Sequence, residues 1–125
     1  MMRDSKLWTW HLAAGAVIFV FLGLHMAVMH LNTILGILNP AGGSPVDWAN
    51  VVARAKSVFF AVTYVVLLGA ALFHGLYGLR NILLELGPAR WLRTAIGVVL
   101  LVGGIGLFVL GTWAAFASLA LARAV

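Results

Sequence analysis

The sequence predicts an all-α fold, a bundle of three transmembrane helices forming a single integral membrane domain over residues 1–125. Three observations carry this. The chain is 64% hydrophobic and 9% charged, far from the averages of soluble domains. Its apolar residues gather in three stretches, 7–38, 57–86 and 94–122, each longer than the roughly 20 residues that span a bilayer as a helix. The outer faces of these stretches lack the charges that a water-soluble helical bundle requires.

A polar lead, residues 1–6, precedes the first span, and Trp8 and Trp10 follow at the depth of an interfacial aromatic belt. That span is too long for a signal-peptide core of about 7–15 residues. Its expected end is near Asn39-Pro40, because a proline disfavours helical geometry in the residue before it. Ser44-Pro45-Val46-Asp47 reads as a helix start, with a serine cap, a proline in first position and a carboxylate in third. Helix is therefore expected from Pro45, outside the membrane, leading through Arg54 and Lys56 into the second span. Gly87-Pro88 closes that span, and the basic turn Ala89-Arg90-Trp91-Leu92-Arg93 opens the third. The third span has no ionisable side chain from Thr94 to Ala122 but carries five glycines, which permit close helix packing.

Charge reports topology here. The net charge is +5, yet the basic residues sit at helix ends, so nucleic acid is not the expected partner; membrane lipid is. Arg3, Lys6, Arg80, Arg90 and Arg93 fall on one side, and Arg54, Lys56 and Arg123 on the other. This excess predicts a cytoplasmic N-terminus for the multi-pass chain, whose expected location is a bacterial or archaeal cell membrane. There is no cysteine, which excludes disulfides and thiolate metal sites.

The histidines carry the chemistry. An ionisable side chain inside a membrane span is costly and marks a functional site by default, and axial ligation of haem iron is a well-attested role for such an imidazole. Residues seven apart on a helix nearly superimpose, so His11, Ile18, His25 and Asn32 share one stripe of the first span. His30 lies about 140° away from His25. On the second span His74, Asn81 and Glu85 share a stripe with Gly78 beside it, and Arg80 lies to the flank. A porphyrin needs room at the backbone, which Gly78, Ala70 and Ala71 offer, and a cation for its propionates, which Arg80 offers. With the boundary set at Trp8 and Gly87, His74 is expected about 20 Å deep and His25 about 25 Å. His11 is expected close to the cytoplasmic face and His30 near the outer one. The competing expectation is that His74 only bonds a carbonyl of a neighbouring helix.

The pattern His74-x3-Gly78-x-Arg80-x4-Glu85 resembles the second-helix signature of the membrane anchor (cytochrome b) subunits of succinate dehydrogenase and fumarate reductase, complex II. The stretch Trp8-Thr9-Trp10-His11-Leu12-Ala13-Ala14-Gly15 resembles the opening helix of the same family, W-x-x-H-R-x-[ST]-G, with Leu12 and Ala14 standing where the family carries arginine and serine or threonine. The resemblance implies a non-catalytic subunit of an enzyme that passes electrons from succinate through iron–sulfur clusters to quinone. It implies His74 as an axial haem b ligand, His25 as ligand to a second haem, and Gly78 and Arg80 in the haem environment. His11, Trp8 and Trp10 fall in the vicinity of the quinone. One or two haems would be shared with a second small membrane anchor subunit, beside an iron–sulfur subunit and a flavoprotein. Two alternatives remain open: a haem-free membrane scaffold, and the cytochrome b subunit of another quinone oxidoreductase, such as a formate dehydrogenase.

Overall fold

Three helices long and apolar enough to cross a membrane dominate the computed structural model, so the chain is a multi-pass membrane protein. The structure describes the backbone of residues 2–35 and 42–124, and their side chains except at 2–4, 28 and 31–35. The elements are α1 (Met2–Leu35), the short α2 (Trp48–Ala55), α3 (Val58–Glu85) and α4 (Arg90–Ala124). No strand occurs among the described residues. The polar lead is therefore part of α1, and the expected break at Asn39-Pro40 lies outside the described residues.

Helix resumes later than the sequence suggests. Ser44–Asp47 forms a turn, with the Asp47 amide donating to the Ser44 carbonyl at 3.0 Å. The Ser44 amide donates to the Asp47 carboxylate at 2.7 Å. The serine and the carboxylate do pair, but across a turn, and Asp47 with extended backbone (φ −61°, ψ 142°) is the residue that caps α2. Gly43 enters this turn at φ +70°, where glycine has no steric cost, and a Cβ there would lie 2.5 Å from an Asp47 carboxylate oxygen. Asn50 is fully buried, its amide donating to the carbonyls of Gly42 at 2.9 Å and Ser44 at 3.0 Å. A second break, at Lys56-Ser57, separates α2 from α3, so the helical stretch expected to lead through Arg54 and Lys56 into the second span is a helix of its own.

The three long helices form a row with α3 in the middle. It packs against both α1 and α4, whereas α1 and α4 make no contact among the described residues. Gly87 at φ +68° turns the chain between α3 and α4. These two run antiparallel, and three glycines of α4 receive large side chains of α3. A Cβ at Gly111 would lie 2.4 Å from Leu68, one at Gly104 2.6 Å from Leu76, and one at Gly97 3.8 Å from Arg80. Phe108 returns the contact onto Gly69, at 3.2 Å from a Cβ built there. Gly103 and Gly106 have nothing within 4 Å, so two of the five glycines serve no helix contact among the described residues. At the far end, Arg123 Nε donates to the Lys56 carbonyl at 3.1 Å, tying the end of α4 to the start of α3. The buried apolar residues are few and small, Ala14, Ala61 and Ala122 with Leu119, as expected where lipid rather than a core surrounds the helices.

Candidate functional site

The α1–α3 seam brings His11 and His74 together. Both helices are bare at the crossing. A Cβ at Gly15 would lie 3.1 Å from Cε1 of His74, and one at Gly78 would lie 3.3 Å from Cε1 of His11. Each glycine thus makes room for the imidazole of the opposite helix. The two rings stack with centroids 4.0 Å apart and planes 7° from parallel. Trp8 extends the stack on His11 at 5.3 Å and 28°, and Tyr77 leans on it from α3 at 5.3 Å and 50°. His11 is buried, with 9% of its surface exposed, and its Nδ1 has no hydrogen-bond partner among the described residues.

A single bond orients His74: its Nδ1 lies 3.0 Å from the backbone carbonyl oxygen of His11. A carbonyl only accepts, so the neutral ring carries its proton on Nδ1 and keeps its lone pair on Nε2. That is the arrangement by which ligating histidines are held, the second nitrogen donating to a carbonyl while the first faces the metal. Stacking does not interfere, because His11 covers the flat face of the ring and the Nε2 lone pair lies in the ring plane.

Several expected residues are placed differently. Gly78 does receive a flat ring, but the ring is the imidazole of His11. The level surface left beside His74 is made by Ala71 and Gly75, both exposed, with nothing within 4 Å of a Cβ built at Gly75. Ala71, Gly75 and Gly78 form a small-residue stripe at helical spacing; Ala71 and Gly78 are expected from the sequence to give room at the backbone, and Gly75 joins them in the structure. His11 and His74 share one level, so Trp8 and Gly87 do not mark a common boundary: in this antiparallel register Trp8 stands near residue 81, about 9 Å short of Gly87. Trp10 is largely exposed. Arg80 lines the cleft between α3 and α4, which His74 does not reach. The two side chains diverge by about 120° around the helix.

His25 is 14 residues beyond His11 on α1, about 21 Å along the axis, and half-buried. One iron cannot take both His25 and His74. His30 is exposed, and the side chain of Asn32 lies outside the described residues. Among the described residues no three histidine or carboxylate side chains converge. His11 and His74 cannot be the two axial ligands of one haem as they stand. Such ligands face each other edge-on across the iron, and these rings face each other flat. The residues present fit a haem held through Nε2 of His74.

Comparison of the chain with protein-family models, curated proteins and solved structures gives no match.

Proposed function

We propose that this chain is a membrane anchor subunit of a succinate:quinone oxidoreductase that holds haem b through Nε2 of His74. The observation that carries the proposal is the carbonyl-fixed imidazole of His74, its Nε2 without a hydrogen-bond partner among the described residues, beside the bare backbone of Gly75. The packing supports it as well, since α3 meets both α1 and α4 and still leaves Ala71, Gly75 and Ile82 exposed to a neighbour. When bound, haem b supplies one-electron redox chemistry between the iron–sulfur clusters and quinone. The chain's own contribution is orientation and exclusion of water. The His11 carbonyl sets the tautomer and direction of His74, while the His11 ring covers its face and is itself backed by Trp8 and Tyr77. His25 would serve a separate haem in the other half of the membrane, with partner subunits providing the opposite ligands. The quinone would approach near Trp8 and His11, at the end of the bundle that carries Arg3 and Lys6. That end is cytoplasmic in this reading, where the iron–sulfur and flavoprotein subunits dock.

The reduced-minus-oxidised spectrum of the purified assembly tests this. A b-type spectrum that loses one haem in His74→Ala is the expected result, and an unchanged spectrum in that variant rejects the ligand. A second reading, a haem-free scaffold, is favoured by the same His74–carbonyl bond, which already gives the imidazole a structural role. An intact assembly with no haem absorbance would establish it.

A further inference from the structure

A cleft of about 760 Å³ lies between α3 and α4, on the side of α3 away from His74, with Leu7 of α1 at one end. Leu72, Leu76, Ile105 and Phe108 make its walls. From Arg80 to Gly69 it extends 11 residues of α3, about 17 Å. Its lining is apolar apart from one end, where Arg80 and Tyr77 stand. Arg80 is half-buried and makes no hydrogen bond or ion pair among the described residues. Its guanidinium cannot shed its proton, and a permanent charge at the mouth of an apolar cleft in a membrane calls for an anion.

Charge and shape together choose that anion. Guanidinium presents a fork of donors that matches phosphate oxygens, and basic pockets between membrane helices are a recurrent seat for anionic lipid headgroups. Arg90 and Arg93 open α4 at the same end, adding positive potential above the cleft. A free phosphate ion would leave the apolar 17 Å unused, and a neutral amphiphile would leave Arg80 unmatched. We propose that the α3–α4 cleft binds one anionic phospholipid, its phosphate on Arg80 and an acyl chain lying along the groove. This does not depend on the haem reading, since the cleft and His74 occupy different sides of α3.

Native mass spectrometry of the full chain in a neutral detergent tests it, with phosphatidylglycerol and phosphatidylcholine of identical acyl chains as probes. One phosphatidylglycerol should bind with about tenfold preference, because both lipids offer a phosphate to Arg80 but phosphatidylcholine also brings a quaternary ammonium, a like charge disfavoured beside the guanidinium. Arg80→Gln should bring the preference close to unity, Arg80→Lys should retain part of it, and Arg90→Gln, outside the cleft, should lower it only slightly, by the loss of one more distant charge. Ile105→Trp, which fills the groove without altering charge, should displace the lipid. Equal binding of the two lipids, or equal losses in Arg80→Gln and Arg90→Gln, would overturn the proposal. So would competition by inorganic phosphate as strong as that by the lipid, or loss of haem together with lipid in Arg80→Gln.

Discussion

The relation between His11 and His74 could not be read from either helix alone. Helical phase gives each side chain an angle around its own axis, and from it His74 emerges as the ligand-like residue of α3. It does not give the height of one helix against another. The aromatic Trp8 and the closing Gly87 suggest a shared boundary, and that alignment separates two histidines that in fact stack at 4.0 Å. The signal that sets the height was present as Gly15 and Gly78, each opposite an imidazole. Because the bond that orients His74 goes to the backbone of His11, it survives substitution of the His11 side chain. His11→Phe keeps both the carbonyl and a flat ring, so the haem spectrum of that variant should match the parent, whereas His11→Ala should lower haem retention by uncovering the His74 face. Loss of haem in His11→Phe would instead make an imidazole nitrogen of His11 a ligand.

At the scale of elements, span existence follows from apolar run length, and the stops follow from Gly87-Pro88 and the charged ends. The region between α1 and α3 was less legible, because serine, proline and aspartate at this spacing serve a turn as well as a helix start. The hydrogen bond from the Ser44 amide to Asp47 decides for the turn. The glycines of α4 divide by environment. Gly104→Ile and Gly111→Ile place branched carbons where Leu76 and Leu68 already sit. Each should destabilise the α3–α4 pair by about 1–3 kcal/mol, the usual cost of overpacking. Gly103→Ala and Gly106→Ala meet open space and should be neutral or slightly stabilising, since alanine is the better helix former. Unfolding in mixed micelles, followed by circular dichroism, measures all four; equal effects across them would show that α3 and α4 do not pack as described.

For the whole molecule, three crossings put the start of α1 and the end of α4 on opposite sides of the membrane. The α3–α4 turn lies at the same end as the start of α1, and the α2 region lies at the other. The chain contains no cysteine, so single replacements report this directly. Ala89→Cys should react with an impermeant thiol reagent from the side of the N-terminus, and Val46→Cys, exposed beside α2, from the opposite side. Labelling of both from one side would reject the three-span topology. The all-α, three-span architecture was readable from composition, since a bilayer leaves few alternatives to helices. The central place of α3 was not, because lipid gives no hydrophobic reason for any one pair of helices to meet, and the choice falls to local fit at glycines.

That fit also restricts how α3 and α4 can move. Sliding α4 by one turn would set Leu76 against Phe108 or Leu100, large against large, and in one direction Leu68 against Leu107 as well. The next slot in which Leu68 and Leu76 both meet small residues is seven residues away, about 10.5 Å along the axis. The short connection from Leu86 to Ala89 cannot span such a displacement, and the tie from Arg123 to the Lys56 carbonyl would break with it. One-turn sliding, a common way for packed helices to transmit change, is thereby closed to this pair. Any conformational signal crossing the membrane through this chain has to shift α3 and α4 as one body, or travel along the α1–α3 seam, where two facing imidazoles and two glycines leave a smoother contact.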